Sequence, residues 1–288
     1  MPRTALSLSL AAASAALFSS AAHATQVQVD TPLGSFTIQM YDDTAPGTVT
    51  NFLNYVADGD FDDSFFHRML PGFVVQGGGF TYTDAGVNAV PTDPAIVNEF
   101  GASNTRGTLA MAKLPGDPDS ATSGWFINLA DNGVNGSLPD HLDQQNGGFT
   151  VFAEVMGDGM DIVDLIAGLA TVNAGGAFTN LPVLDSFVSP NITQDDVVKT
   201  TLRVVGDATG DAYVSIEDLD VLLANWGDTV TANDFSAGDF DGDGTVGQGD
   251  LDIVTAQWGE GLAPSIVPEP ASALLVLGGI ALVSRRRR

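Results

Sequence analysis

The segment Phe66–Gly79, with the sequence FHRMLPGFVVQGGG, constrains the fold of this chain more than any other. Val74 and Val75 are β-branched, which favours a buried strand, and Pro71 and Gly72 predict a turn before it. The segment is therefore predicted to form a strand, a turn and a second strand. His67, one arginine and one glutamine interrupt its apolar pattern. His67 is expected to be a packed residue beside the strand, whereas the arginine and the glutamine need a structural or functional reason.

Side chains along a strand alternate between its two faces, which predicts where these two polar residues lie. One face before the turn is expected to hold Phe66, Arg68 and Leu70. One face after the turn is expected to hold Phe73, Val75 and Gly77. This arrangement brings Arg68 and Gln76 towards one concavity, so we expect an aromatic-lined pocket with a cation and an amide at its rim.

The same segment resembles the signature of the cyclophilin family of peptidyl-prolyl cis/trans isomerases. The resemblance continues in the family's order through Asn98–Phe100, Arg106–Ala112, Asp119–Asn132 and Gly148–Val155. It covers residues 25–205. It implies a mainly β fold, a closed antiparallel β-barrel with two flanking helices.

Local patterns agree with that fold. Strand alternation is shown by Val27 and Val29, and by Phe36, Ile38 and Met40. A first helix is predicted to begin near Thr44 and Pro46, with an apolar face formed by Val49, Phe52, Leu53 and Val56. A second helix is predicted over Met160–Ala167.

The resemblance also implies roles in catalysis. Arg68 is expected to donate a hydrogen bond to the reacting prolyl bond, Phe73 and Phe126 to hold the proline ring, and Gln76 to contact the substrate backbone. Further substrate contacts are expected from Val74, Ala112, Leu142 and Phe149. No cofactor is implied for catalysis. The alternative interpretations are a structural ion pair for Arg68 and simple core packing for Phe73 and Phe126.

The pocket departs from the family pattern at several positions. Val74 stands where methionine is common, His141 stands about where a tryptophan precedes Leu142, and Phe149 falls near a pocket histidine. Gly124 is the more serious change, because it replaces a glutamine that helps to order the arginine. Reduced activity is expected. The alternative function is a non-catalytic proline-binding or cell-surface scaffold protein. It would be attached through two repeats near the C-terminus that are expected to bind calcium.

Two segments near the C-terminus match at an offset of 32 residues. Calcium takes six to eight oxygen ligands, and a twelve-residue loop supplies them from alternating positions. The first loop offers Asp207, Thr209, Asp211, Tyr213 and Asp218. The second loop offers Asp239, Asp241, Asp243, Thr245 and Asp250. Calcium is therefore expected within residues 206–261, and each loop is followed by an amphipathic helix.

The two loops are not equivalent. In the first loop Thr209 replaces a carboxylate, and Ala212 stands where the second loop has Gly244, so we expect the first loop to bind calcium more weakly or not at all. The paired units resemble type I dockerin domains, which implies a small α-helical calcium-loop module and a cohesin-like or cell-surface partner. The alternative is a solvated acidic linker.

The N-terminus has the pattern of a secretory signal. Residues 1–24 contain Arg3, an apolar run over Ala5–Phe18 and the small-residue site Ala22–Ala24, so the mature chain is expected to begin at Thr25. Export is therefore predicted.

The C-terminus, residues 262–288, reads as a linker and a sorting tail. Val267–Pro270, the apolar stretch Ala271–Val283 and Arg285–Arg288 resemble the PEP-CTERM tail of Gram-negative bacteria. This implies a location in the periplasm, on the outer cell surface or in the extracellular matrix, with membrane contact only through the tail. The alternative to a cleaved tail is a retained anchor.

Charge and cysteine content exclude other classes of function. The chain has 36 acidic and 10 basic residues, a formal net charge of −26, which repels nucleic acid and attracts divalent cations. It has no cysteine, which excludes thiol catalysis. Proline-containing polypeptides are the expected substrates.

Overall fold

The computed structural model describes residues 24–133, 141–184 and 191–262. The expected signal segment up to residue 23 and the expected tail from residue 263 lie outside the described residues. Among the helices within these ranges, none has both the length and the apolar character needed to cross a membrane.

Strands are the predominant regular element of the described part of the chain. In chain order the strands are β1 Gln26–Thr31, β2 Gly34–Met40, β3 Ser64–Phe65, β4 Arg68–Leu70, β5 Val74–Gly77, β6 Phe80–Thr83, β7 Gly86–Ala89, β8 Thr108–Met111, β9 Trp125–Asn128, β10 Val151–Val155, β11 Thr171–Val172, β12 Leu181–Pro182 and β13 Lys199–Val204. The strands predicted around Val27 and Ile38 are confirmed as β1 and β2.

The helices are α1 Pro46–Ala57, α2 Gly159–Ala167, α3 Ile216–Ala224 and α4 Gln248–Ala256, with short 3₁₀ turns at Gln145–Gly147 and Phe235–Ala237. Both helices predicted to flank the sheet are confirmed as α1 and α2. Proline begins α1, where its missing N–H leaves no helical bond unmade.

The large sheet is antiparallel, in the order β4-β5-β9-β8-β10-β2-β1-β13-β3-β6-β7. Only Phe66 and His67 separate β3 from β4 in the chain, although these strands lie far apart in the sheet order. The sheet must therefore curl to bring them together, as the cyclophilin resemblance implies. Because β4 and β7 end the strand order, closure into a barrel stays a prediction.

Period-two alternation gives the curled sheet two different faces. The inner face belongs to the main hydrophobic core and includes Met69, Val75 and Trp125. The other face carries a separate apolar cluster built on Val74, Phe126 and other residues. The second cluster positions the candidate site.

The C-terminal module, residues 206–261, packs directly on the sheet. Its Gln257 side chain accepts a hydrogen bond from the backbone of Gln26 at 3.1 Å. The guanidinium of Arg203 on β13 lies 5.9 Å from the ring centroid of Phe235. Val204 and Val214 belong to one continuous hydrophobic cluster, so the sheet and the module share a core.

Candidate active site and acidic loops

Strand register brings the central site residues together. Arg68 on β4 is paired with Gln76 on β5, and Gln76 is paired with Phe126 on β9. Phe126 is in turn paired with Ala110 on β8. Directly paired residues project to the same face of a sheet, so this register aligns a cation, an amide and an aromatic ring.

The predicted alternation was wrong in two details. Phe66 lies in the main core, on the side opposite to Arg68, because β4 begins only at Arg68 and the chain is irregular before it. Val75 also belongs to the main core, whereas Phe73 packs against the second cluster. Phe73 lies in the turn before β5, so the two-residue period does not reach it.

All eight predicted pocket residues line one cavity of about 170 Å³, together with one that was not predicted. The lining residues are Arg68, Phe73, Val74, Gln76, Ala112, Lys113, Phe126, Leu142 and Phe149. Six of these nine residues are apolar, and the polar members are Arg68, Gln76 and Lys113. Such a cavity can enclose a small apolar ring and present hydrogen-bond donors to its polar edge.

Arg68 is half-buried and contacts its neighbour only weakly. Its Nη1 donates to Oε1 of Gln76 at 3.4 Å, at the long end of the hydrogen-bond range. Within the described ranges, the ion pairs involve Arg106, Lys199 and Arg203, and none involves Arg68. The guanidinium is therefore held near the cavity with most of its donors available to a ligand.

The aromatic walls are firmly packed. The rings of Phe126 and Phe149 meet edge to face, with centroids 5.8 Å apart and an interplanar angle of 69°. Phe126 is 5% exposed, although it lines the cavity. This packing fixes the shape of the cavity before any ligand binds.

Gly124 leaves open space beside the site. A Cβ atom built at this position meets only the Cβ of Ala112, at 3.5 Å, which is an ordinary van der Waals contact. The glycine carbonyl accepts a hydrogen bond from the backbone of Ala112 at 2.9 Å. The backbone is thus in place for a larger side chain that this sequence lacks.

Lys113 was missed by sequence reasoning, although it directly follows Ala112. An ammonium has three donors, and Nζ uses them on Oδ1 of Asn98 at 3.0 Å, the carbonyl of Asn146 at 2.9 Å and the carbonyl of Gly148 at 2.7 Å. It also lies 4.9 Å from the ring centroid of Phe149. Lys113 therefore fixes the wall that carries Phe149.

Burial lowers the pKa of Lys113, and the charge of Asp119 opposes that shift. The three acceptors favour the ammonium form, and each of them lies within the loop or strand that flanks the cavity. A lysine with its donors occupied in this way is a structural support and not a proton donor to substrate.

A chain of buried asparagine side chains also supports the cavity and was not predicted. Asn132 Nδ2 donates to the carbonyl of Phe73 and to Oδ1 of Asn128, both at 2.8 Å. Asn128 Nδ2 donates to Oδ1 of Asn104 at 3.2 Å, and Asn104 Nδ2 donates to the carbonyl of Phe149 at 3.0 Å. The network links the two ends of the cavity. Its only sequence signal is that Asn128 and Asn132 lie within the family motif Asp119–Asn132.

His67 is a packed residue, as expected. It is 4% exposed, and its ring contacts Phe65 and Phe80 edge to face at 6.5 and 5.0 Å between centroids. Burial, followed by the nearby charge of Arg68, lowers the pKa of His67 to about 4. The imidazole is therefore neutral at neutral pH and lies outside the cavity lining.

The two acidic loops repeat each other's hydrogen bonds at the predicted offset. Asp207 accepts from the backbone N–H groups of Gly210 and Ala212 at 2.7 Å each. Asp239 accepts from Gly242 and Gly244, which lie 32 residues further on, at 3.1 Å each. The first carboxylate of each loop thus holds the turn.

The last carboxylate of each loop is also bonded to backbone. Asp218 accepts from the N–H of Ala208 at 2.9 Å and of Ser215 at 2.8 Å. Asp250 accepts from the N–H of Phe240 and of Gly247 at 2.7 Å each. The sequence repeat is therefore a structural repeat, and the loops are folded rather than an unstructured linker.

The aligned residues Ala212 and Gly244 both have a left-handed backbone, which costs the alanine more than the glycine. Ala212 has φ of 59°, a left-handed conformation that Gly244 reaches at 81° without a side-chain penalty. In the described part of the chain, one group of three acidic residues has ligand atoms within 4.8 Å of one another, namely Asp239, Asp241 and Asp243. That group is in the second loop.

Burial raises the pKa of carboxyls in both loops. The pKa of Asp207 is raised to about 6, chiefly by burial and further by the charges of Asp218 and Asp211. The pKa of Asp241 is also raised, first by burial and then by neighbouring carboxylates that include Asp250. These oxygens fit a hard divalent cation, which would relieve the repulsion.

A family model described as cyclophilin type peptidyl-prolyl cis-trans isomerase/CLD matches residues 25–186. The chain belongs to this family. It is 46% identical over 144 residues to peptidyl-prolyl cis-trans isomerase B of Escherichia coli strain K12, which covers 49% of this chain and 84% of that protein.

Two other relatives give the same result. The chain is 42% identical over 161 residues to a peptidyl-prolyl cis-trans isomerase of Acinetobacter baylyi, which covers 55% of this chain and 79% of the relative. It is 40% identical over 177 residues to peptidyl-prolyl cis-trans isomerase A of Dickeya dadantii, with 61% and 86% covered. The family match ends before the C-terminal module begins.

Proposed function

We propose that this chain is an exported peptidyl-prolyl cis/trans isomerase that assists the folding of envelope or extracellular proteins. The observation that carries the proposal is the cavity in which Arg68, Gln76 and the aromatic walls converge. Its substrates are proline-containing polypeptides, with the proline ring against Phe73 and Phe126.

The chemistry that this cavity must perform is a rotation. The peptide C–N bond has partial double-bond character, and its barrier is about 18–20 kcal/mol. Apolar walls remove water from the bond, which favours the less polar twisted state. A hydrogen bond to the prolyl nitrogen localises its lone pair and lowers the barrier further. No covalent step is needed.

Arg68 is suited to donate that bond. A guanidinium stays charged and presents several donors in a fixed plane. Its weak bond to Gln76 can be exchanged for a bond to the substrate, while the Gln76 amide contacts the substrate backbone. Phe126 and Phe149 need no rearrangement, because their packing is already complete.

The test is a protease-coupled assay of an Ala-Pro peptide with the chain from Thr25 to Arg288. We expect Arg68→Ala to lower kcat/KM at least about tenfold, roughly 1.4 kcal/mol of transition-state stabilisation. Arg203→Ala is the matched control, because it removes an exposed arginine from β13. A folded parent chain with no rate above background would refute the enzyme proposal.

The competing proposal is a non-catalytic proline-binding scaffold, and Gly124 favours it. Without the side chain expected there, Arg68 has one fewer neighbour to order it. A scaffold would bind a proline-containing peptide with measurable affinity while leaving its isomerisation rate unchanged. The same assay, combined with calorimetric titration of the peptide, separates the two.

We also propose that the second acidic loop binds Ca²⁺ through Asp239, Asp241, Asp243, Thr245 and Asp250. The clustered carboxylates of its first half and the left-handed Gly244 support this. The first loop would bind weakly, because Ala212 is strained and Thr209 is uncharged. The C-terminal module would then attach the isomerase to a cohesin-like or cell-surface protein.

Export and removal of both terminal segments complete the proposal. The motifs at residues 1–24 and 267–288 support it. Mass spectrometry of protein recovered from its host should give a chain that starts at Thr25 and lacks the apolar tail. An intact Arg288 would favour a retained anchor instead.

A further inference from the structure

Thr25 is held in place by four hydrogen bonds, three of which tie it to β2 and the residues that follow that strand. Its backbone N–H donates to Oδ2 of Asp42 at 3.0 Å, and its hydroxyl donates to Oδ1 of the same carboxylate at 3.0 Å. Its carbonyl accepts from the N–H of Met40 at 2.8 Å. Thr25 is 1% exposed, whereas Ala24 is only partly buried. Thr25 is therefore firmly anchored to the rest of the protein.

The backbone nitrogen of Thr25 has acidic surroundings. A cavity of about 210 Å³ beside Ala24 is lined by Asp42, Asp43 and Glu260, with Met40, Tyr41 and Thr44. None of these lining residues is basic. Burial and then Glu154 raise the pKa of Tyr41 to about 12, so its phenol stays neutral. The amide N–H of Thr25 is neutral, so it offsets none of the charge of the Asp42 carboxylate.

Hydrolysis of the Ala24–Thr25 bond by an external peptidase would change the charge at this point. One water molecule is added, Ala24 leaves with a carboxylate, and Thr25 keeps the nitrogen as an α-ammonium. Hydrogen bonds between a cation and a carboxylate are roughly twice as strong as those between neutral groups. The carboxylate of Asp42, which would pair with this α-ammonium, already lies 3.0 Å from the Thr25 nitrogen.

We propose that removal of residues 1–24 creates a partly buried ion pair between the new α-ammonium of Thr25 and Asp42. Asp43 and Glu260 add to the negative field. The ion pair fastens the start of β1, so the mature chain is more stable than its precursor. This inference rests on the proposed export and on cleavage after Ala24.

The same residue connects the sheet to the C-terminal module. The hydroxyl of Thr25 accepts a hydrogen bond from the N–H of Gly261 at 3.0 Å. The next residue, Gln26, donates its N–H to the side chain of Gln257. An ion pair at Thr25 would therefore also strengthen the junction between the two parts of the molecule.

The test compares two chains that both end at Arg288, one starting at Thr25 and one at Ala21. Each is released from a fusion partner, so neither depends on export. We expect the Thr25 chain to have a Tm higher by at least about 3 °C at pH 6. The ion pair raises the pKa of the amino group above its ordinary 7.7–8.0, so the advantage is complete below that range. It should vanish by about pH 10.5, when the amine is neutral.

Asp42→Asn in both chains completes a double-mutant cycle, since the amide keeps an acceptor oxygen but removes the charge. We expect the Tm difference between the two starting points to disappear in this variant. Equal Tm values for the parent chains at pH 6, or a difference that persists at pH 10.5, would overturn the proposal. If the variant does not fold, the pH comparison of the parent chains decides alone.

The peptide assay on the same two chains tests the proposed isomerase separately. Both chains should be equally active, because Thr25 lies outside the cavity lining. Inactive chains that still differ in Tm would refute the enzyme proposal and leave the ion pair intact. Active chains with equal Tm would refute only the ion pair.

Discussion

The pocket walls are held by buried uncharged amides, whereas the second acidic loop is held by carboxylates. In the pocket, Asn132 and Asn104 donate to the carbonyls of Phe73 and Phe149. In the loop, Asp239 and Asp250 accept from backbone N–H groups. An amide donates and accepts without net charge, so its network can hold the walls before a ligand arrives, although Oδ1 of Asn132 has no partner among the described residues. Carboxylates only accept and keep their mutual repulsion, so we propose that this loop needs a cation to complete it.

We expect acid to lower the stability of the region beside the pocket, because the buried imidazole of His67 must stay uncharged there. The folded pKa of His67, about 4, lies below its ordinary 6.5, so the stability it contributes is present above pH 6.5. As the pH falls towards 4, the free energy of unfolding should therefore fall by at most about 3 kcal/mol through this group. Chemical denaturation of the parent chain and of His67→Leu at pH 7 and pH 4 measures it.

His67→Leu removes the titrating imidazole. All other groups lower the unfolding free energy of both chains equally, so their contribution cancels when the two chains are compared. We expect its unfolding free energy to fall by about 3 kcal/mol less than that of the parent chain between the two pH values. Equal losses in both chains would contradict the assignment of a buried neutral imidazole.

Calcium should distinguish the acidic loops from each other and from the pocket. Calorimetric titration of the chain from Thr25 to Arg288 should show one strong and one weak step, with a gain of helicity in the C-terminal module. Asp243→Ala should weaken the strong step on the order of a hundredfold. Asp211→Ala, the matched change in the first loop, should leave it intact.

Two equal steps would show that the difference between Ala212 and Gly244 does not control affinity. Full helicity in the presence of a chelator would show that the module folds without the ion. Either result would remove the contrast with the pocket, which needs no ion to take its shape.

Breaking the amide network should destabilise the pocket, and adding calcium should not restore the lost stability. Asn132→Ala leaves the carbonyl of Phe73 and Oδ1 of Asn128 without this donor. The expected loss is about 2 kcal/mol of unfolding free energy, accompanied by lower kcat/KM. Urea denaturation and the peptide assay, each with and without calcium, provide the measurement.

Asn88→Ala is the control for that change, because Asn88 is exposed on β7 and its side chain bonds only to the carbonyl of Gly86 among the described contacts. It should lie within about 0.5 kcal/mol of the parent chain. If both variants lose the same stability, the buried network has no special role.

The smallest expected effect is a gain of activity. Gly124→Gln adds an amide where only Ala112 lies within contact distance, and Gly124 is not among the positive-φ glycines. The new side chain should help to order Arg68 and raise kcat/KM about threefold, or roughly 0.6 kcal/mol. Gly124→Ala adds bulk without a donor and should leave the rate unchanged. A gain in both variants would mean that rigidity of the backbone matters, not the amide.

The sequence was sufficient to predict the eight cavity residues because seven of them lie within continuous motifs, while Leu142 was placed by its position between two of the motifs. The left-handed backbone of Ala212 was also predictable, since the repeat aligned it with a glycine. Lys113 and the asparagine network were not, because their partners lie far away in the chain. Asn132 and Phe73 are 59 residues apart, and nothing local signals that contact.

The error at Phe66 has a similar origin. Alternation holds only inside a strand, and the chain leaves extended pairing between β3 and β4 at Phe66 and His67. A two-residue period cannot show where such a break falls. The neighbouring pair Arg68 and Gln76 was placed correctly because both lie within regular strands.

The position of β1 has a consequence for how the chain folds. β1 is the first strand of the sheet in the chain, and it pairs with β13, the last, through Val27 and Val204 among others. A chain that emerges N-terminus first must therefore wait for residue 204 before one edge of β1 can be covered. Long-range pairing of this kind slows folding, and an open strand edge invites pairing with other chains. This isomerase is therefore itself vulnerable to aggregation until β13 has arrived.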